Sequence, residues 1–404
     1  MAAKHKWQFT AKLRRGSFGW RGSALAAKRL RQAVSEINKA GRKDPVLAAE
    51  GAIKLIECLW PALERIDTSS GLLGNVVNQV VHEVIEYPVT AQVDATTRAK
   101  WLERLWDAFQ EDGVDYTMEV ADRWGELCGS EALRQQWLDA LLPPLRTTWS
   151  RGTAGGYYRG TTACLSCMLA LGRHEELLDL VNESPTGLWH VRRYGVKALV
   201  ALGRAEEAVR YAEASRGPYV GGSCIDQECE EILLSMDQRE EAYRRYALSA
   251  HQRPTGLATF RAIAERYPEK SRQEILSDLI NASPDAEGKW FATARQCGFL
   301  DLAIRLAQTS PCDPRTLNRA ARDLIQEQPK AALEIALASL RWMVEGWGYE
   351  ITGIKVYSAC SSALKAAETL GRPDDAVRGV TELTKAHPFI HDLCRRADPR
   401  LARA

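Results

Sequence analysis

The sequence predicts an all-α protein: a basic flexible arm, an N-terminal helical region, then a solenoid of helical-hairpin repeats. Three observations carry this. Apolar residues recur at spacings of three and four between capping residues, no segment alternates apolar and polar residues between hairpin turns, and a short turn signature returns along the second half. The 404 residues, 45 % hydrophobic and 26 % charged, have an ordinary globular composition. A net charge of +2 excludes a uniformly charged disordered chain.

Charge is uneven along the chain. Residues 1–43 hold six Lys and six Arg against Glu36 alone, a charge of +11 that leaves −9 for the remainder. Residues 1–22 read as an arm in which Trp7, Phe9, Phe18 and Trp20 lie among Lys6, Lys12, Arg14, Arg15 and Arg21. Bases stack on such rings while cations pair with phosphates. The same rings also pack onto a helical body, and the same charges attract an acidic partner. Trp7, Lys12, Arg14, Arg15, Trp20 and Arg21 are therefore the arm's partner-binding candidates.

Residues 23–148 read as the N-terminal helical region. Ser23 caps a segment whose Ala26, Leu30, Val34 and Ile37 form one apolar stripe opposite Lys28, Arg29, Arg31 and Gln32. Asp44 and Pro45 form a cap and first-turn pair for a second helix carrying Leu55, Ile56, Leu59 and Leu63, with a kink expected at Pro61. Gly71 to Tyr87 is a third helix, closed by Pro88; Thr96 to Gln110, Asp115 to Cys128 and Ser130 to Leu142 follow, the last stopped by Pro143-Pro144. The stretch 143–160, rich in Gly and aromatic residues, is the best boundary or functional loop, and Trp149 and Arg151 are binding candidates within it.

From 157 to 397 the sequence repeats. Gly172-Arg-His-Glu-Glu, Gly203-Arg-Ala-Glu-Glu, Asp237-Gln-Arg-Glu-Glu, Gly298-Phe-Leu-Asp-Leu and Gly371-Arg-Pro-Asp-Asp each follow one helix and open another. Five residues on stand Leu177, Ala208, Ala242, Ala303 and Ala376, and a proline closes the second helix at Pro185, Pro218, Pro254, Pro311 and Pro388. Two degenerate units are expected around Glu269 to Ala282 and Gln328 to Leu340, for a period of about 30 to 36 residues. A lone hairpin cannot bury its apolar face, whereas stacked hairpins bury a continuous core and leave a groove. These markers resemble the tetratricopeptide repeat, of an uncharacterised bacterial type. The resemblance implies a peptide-binding, complex-assembling role without identifying a ligand residue.

Catalytic motifs are missing: there is no Walker loop, no Gly-x-Ser-x-Gly elbow, no His-Glu-x-x-His and no dinucleotide fingerprint. Cys164 and Cys167, with Cys224 and Cys229, have a loose zinc spacing but an apolar helical setting, which reads as buried thiols. His387, His391 and Cys394 raise the question of a metal site at a helix start. Arg245 and His251 carry an Arg-x5-His spacing that resembles metal-independent helical ribonucleases, but fall inside a repeat helix. No catalytic residue, cofactor or metal is assigned. Trp189, Arg192 and Arg193 form a further basic aromatic cluster suited to a groove. Trp60, Trp101, Trp106, Trp124 and Trp137 fall at core positions, leaving Trp20, Trp149, Trp189 and Trp347 for binding.

No membrane span or export signal is expected, and ten cysteines suit a reducing compartment, so a cytoplasmic location is expected. The functional expectation is a non-catalytic scaffold that holds a protein or peptide in its groove. The alternative is a nucleic-acid-binding helical-repeat protein using the basic arm.

Overall fold

The computed structural model describes residues 5–69, 71–152, 157–217, 222–398 and 400–401, and among these there are helices and turns but no strand. Two compact units divide the chain, Met1–Gly221 and Gly222–Ala404. The division falls inside the stretch read as repeats.

The first unit opens with α1 (Phe9–Lys12), α2 (Ser23–Gly41), α3 (Pro45–Leu63) and α4 (Leu72–Thr90). The apolar stripe of α2 is buried as the spacing requires, but Ser23 is its first residue and not its cap, since its hydroxyl donates to the Asp67 carbonyl at 2.9 Å, while the Asp44 carboxylate accepts from Leu47 N at 2.9 Å to start α3. The expected flexible arm is instead folded against these helices. Trp7, Phe9, Leu13 and Phe18 are buried, and the Trp7 ring packs against Gly51 in the middle of α3, where a Cβ would collide with it. Burying four large apolar side chains is worth several kcal/mol, enough to hold a short segment down. Glu36, the one acid of residues 1–43, accepts the backbone N–H groups of Gln8 and Phe9 at 2.7 and 3.2 Å and so caps α1.

Two proline expectations are corrected: Pro88 lies within α4, and α8 (Glu131–Trp149) runs through both Pro143 and Pro144, whereas Pro61 stands inside α3 as expected. A proline in a helix frees the carbonyl four residues back. In α8 those residues, Asp139 and Ala140, are exposed, so water takes the place of the lost donors. At the end of α4 the guanidinium of the buried Arg98 donates to the carbonyls of Pro88 and Ala91. Arg98 belongs to α5 (Ala95–Glu111); the helix expected over Asp115–Cys128 is two pieces, α6 (Met118–Asp122) and α7 (Trp124–Leu127). Trp106, Trp124 and Trp137 stack on one another with centroids 4.8–5.2 Å apart, joining α5, α7 and α8.

Two hairpins complete this unit: α9 (Thr161–Ala170) with α10 (His174–Asn182), and α11 (Trp189–Ala201) with α12 (Ala205–Ala214). The second unit continues the pattern. It has α13 (Gly222–Ser235) against α14 (Arg239–Ala242), a π-helical turn (Tyr243–Ala247) and α15 (Leu248–Ala250); then α16 (Gly256–Arg266) with α17 (Arg272–Asn281). A 3-10 turn (Glu287–Trp290) and α18 (Phe291–Gln296) pair with α19 (Leu300–Thr309), α20 (Pro314–Leu324) with α21 (Pro329–Val344), and α22 (Gly353–Thr369) with α23 (Pro373–Thr384) before α24 (Pro388–Ala397).

Every turn marker is used. Gly172, Gly203, Asp237, Gly298 and Gly371 all have positive φ, from +58° to +88°, the left-handed conformation that ends one helix tightly enough to begin the next. Leu177, Ala208, Ala242, Ala303 and Ala376 are fully buried between paired helices. The two degenerate units are hairpins of another kind. Among the described residues their turns hold no left-handed residue; Ser271 caps α17 through Glu274 N at 3.1 Å, and Pro329 starts α21. Like helices of neighbouring hairpins meet in part: α9 lies on α11, α16 on α18 and α19 on α21, and both helices match where α20 lies on α22 and α21 on α23. In the second unit a large hydrophobic core runs from Tyr243 to Leu401, with a small one at Ile325, Ala332 and Ala366 beside it.

Candidate functional site

Capping α1 consumes Glu36, which leaves the cations of the N-terminal segment unopposed. Lys6, Lys12, Arg14, Arg21, Lys28, Arg31, Lys39, Arg42 and Lys43 are exposed, and among the described residues none of their side chains has an ion-pair partner. Arg15 reaches Glu64 at 3.5 Å, and Arg29 is tied to the Lys12 carbonyl at 3.0 Å with Phe18 beneath it. Trp20 is 67 % exposed. Trp7, expected on the binding surface with it, is core.

Between α2 and α4 lies an open groove of about 580 Å³. Its floor is aliphatic, formed by the slightly exposed edges of Val34, Val76 and Val80, and its rim carries Arg31, Lys39 and Arg42. The one carboxylate on the rim, Glu83, is occupied by the Asn38 amide at 2.7 Å. The arrangement is three unpaired cations over an apolar floor. Flat bases find no aromatic surface among these lining residues.

A second cleft in the same unit, about 440 Å³, is built where α6 meets α4 and α11. Arg193 on α11 crosses to Asp122 at 2.5 Å. Burial opposes its charge, but Asp122 outweighs that and holds Arg193 above the ordinary arginine range. Its Nε is buried with no hydrogen-bond partner, and so is the hydroxyl of Tyr116, a residue only 6 % exposed. Burial and then Asp112 push the Tyr116 phenol up, keeping it a neutral donor. A buried unpaired polar atom costs about 1–3 kcal/mol, so two on residues that line one cleft are a feature to explain. Lys197 also lines it and faces only the Tyr194 ring, 5.5 Å away, with no carboxylate partner among the described residues. Asp115, at the edge, is held at φ +61° and pairs with Arg159 at 3.2 Å. Glu119 meets the exposed imidazole of His82 at 2.5 Å, a partner charged only when protonated. Sequence reasoning singled out Arg193 but not Tyr116, Glu119 or Lys197, because a 37-residue gap to His82 and a 71-residue gap from Asp122 to Arg193 leave no local spacing to read.

The remaining candidates are dispersed. Arg192 is occupied within its own hairpins, donating to Asn182 at 2.9 Å and to the Tyr211 hydroxyl at 2.7 Å. Trp189 opens α11 and Trp149 closes α8, both half-buried, while Arg151 is exposed. Residues 153–156 of the adjoining loop, and Pro218, lie outside the described residues. Trp347 is exposed; Trp101 and Trp124 are buried, and Trp60, Trp106 and Trp137 partly so.

None of the metal or nuclease spacings assembles into a site. Among the described residues no group of three His, Cys, Asp or Glu side chains is placed to hold a metal ion. His391 meets Thr384 at 2.9 Å, His387 caps α24 through Ile390 N, and the Cys394 thiol is buried against Cys360. Cys164 is buried and its thiol pushed up to about 12 by desolvation, so it is a protonated core group. His251 is held by the buried Glu230 at 2.8 Å, which also accepts from the Tyr267 hydroxyl at 2.6 Å, while Arg245 pairs with Glu241. No helix among the described residues is long and apolar enough to cross a membrane.

The geometry defines a class: an all-α protein of packed helical hairpins carrying a basic groove and a polar cleft. No protein-family model matches the chain, and the search of curated proteins finds no match either.

Proposed function

We propose that this is a non-catalytic binding and scaffolding protein of the helical-repeat type, similar to tetratricopeptide proteins, whose N-terminal groove takes an acidic, aliphatic segment of a protein partner. The observation that carries the reading is the groove itself, with Arg31, Lys39 and Arg42 unpaired above Val34, Val76 and Val80. The repeat type is supported by the left-handed turn residue, the buried small residue five positions on and the side-by-side hairpins. A cytoplasmic setting suits its ten cysteines.

A second reading, nucleic-acid binding, is favoured by the exposed Trp20 and the nine unopposed cations. Fluorescence anisotropy across a salt series separates the two. A labelled helical peptide alternating Glu and Leu on one face is expected to bind the full chain, to weaken with salt, and to lose at least ~10-fold in affinity on combined Arg31→Glu, Lys39→Glu and Arg42→Glu reversal. If labelled single-stranded or duplex DNA binds instead, with a log–log salt slope near −4 to −5 for ~5 neutralised phosphates, the nucleic-acid reading replaces it. Binding of neither probe at low salt overturns both.

A further inference from the structure

We infer that the cleft between α4, α6 and α11 binds a small zwitterion of the amino-acid class, its carboxylate received by Lys197 and its ammonium by Glu119. This site is separate from the basic groove and stands whether or not that groove takes a peptide.

The cleft leaves several of its polar groups unspent. Arg123 is taken up by Glu86 and Glu126 at 2.6 Å each, and the Arg193 terminal nitrogen by Asp122. Lys197 remains, and so do two buried atoms of lining residues, the Arg193 Nε and the Tyr116 hydroxyl; all are donors. Unspent donors of this kind are complementary to acceptor oxygens, above all to a carboxylate. A ligand with only negative charge is disfavoured, because Asp115, Glu119 and Asp122 border the same space. The ligand therefore brings a cation of its own. Glu119, whose partner is an imidazole that is charged only when protonated, is the acid with charge to spare. A carboxylate and an ammonium on one small molecule satisfy both ends, and the volume of about 440 Å³ lies within the range of small-molecule sites.

The test is thermal denaturation and calorimetric titration of the full chain with each proteinogenic L-amino acid, against acetate, succinate and putrescine at matched ionic strength. At least one amino acid is expected to raise Tm saturably, while acetate, succinate and putrescine do not. Lys197→Met is expected to weaken that binding ~10-fold or more, the scale of one lost charge-assisted hydrogen bond. Tyr116→Phe removes only a hydroxyl that has no partner in the free protein. It is expected to leave the ligand-free Tm unchanged or higher and to weaken binding ~3- to 10-fold. The inference is overturned if no amino acid shifts Tm, if succinate or putrescine binds as well as the best amino acid, or if both variants bind it like the parent.

Discussion

His190, on the first turn of α11, sits beside Arg193, and its pKa is lowered from the ordinary 6.5 by burial first and by that guanidinium second, with Asp122 opposing. The unfolded chain then takes up the proton at higher pH than the folded one does. The neutral imidazole's contribution is complete above about 6.5 and is lost as pH falls through the lower folded value. Urea midpoints measured below 6.5, but above the carboxylate range, are expected to decline in the parent and to flatten in His190→Gln. A parent and variant that decline in parallel would remove His190 as the cause. Carboxylates act in a separate, more acid window. Burial pushes Glu57 up, but Arg104 and Lys54 outweigh it and hold the group below the usual 4.5, so its contribution is present above 4.5 and lost as pH falls further.

At the scale of elements, the hairpin turns are where single residues decide most. A Cβ in the left-handed conformation costs about 1–2 kcal/mol, less for Asp, whose side chain bonds locally. Gly203, at φ +74°, has open space around it, so Gly203→Ala meets the backbone penalty alone and is expected to lower stability by about 1 kcal/mol. Asp237 occupies the equivalent position at φ +58°, and Asp237→Gly is expected to be neutral or mildly stabilising. Chemical denaturation of the two variants checks the pair; a destabilised Asp237→Gly would mean that the aspartate side chain holds something the turn needs. Gly125 serves a different purpose. A Cβ there would come within 2.7 Å of Ala170 Cβ, so glycine lets α7 lie directly on α9, where its N–H donates to the Ser166 hydroxyl at 3.0 Å.

For the whole molecule, the chain divides into two compact units, and each has its own reasons to melt. The first is held by the aromatic stack of α5, α7 and α8 and by the folded-back N-terminal segment; the second has its continuous core from Tyr243 to Leu401. Denaturant unfolding is therefore expected to depart from two-state behaviour, with near-UV circular dichroism and the fluorescence of the tryptophans, which are concentrated in the first unit, following different curves. Coincident curves from both probes would show instead that the units unfold as one. Charge is likewise a property of the whole. The +11 of residues 1–43 is steeply local because its only acid is spent on a helix cap.

The sequence by itself determined most of the helices, the Asp44 cap of α3, the hairpin turns and the small residues between paired helices, because each depends on neighbours within about five positions. It also determined the basic character of the N-terminal segment, since no folding changes a residue count. Tertiary structure decided what that segment does with its aromatics: Trp7 is core because Gly51, 44 positions away, leaves room for its ring. It likewise decided that Pro88, Pro143 and Pro144 continue helices, since the loss of a backbone donor is tolerated where solvent stands in, as in α8, and Arg98 secures the end of α4. The polar cleft belongs wholly to the tertiary level. Tyr116, Glu119 and Lys197 acquire unspent donors and charge only when distant helices bring some partners close and leave others out of reach. Local propensity acts through the covalent chain, whereas a binding site is made from residues whose proximity exists only in the packed state.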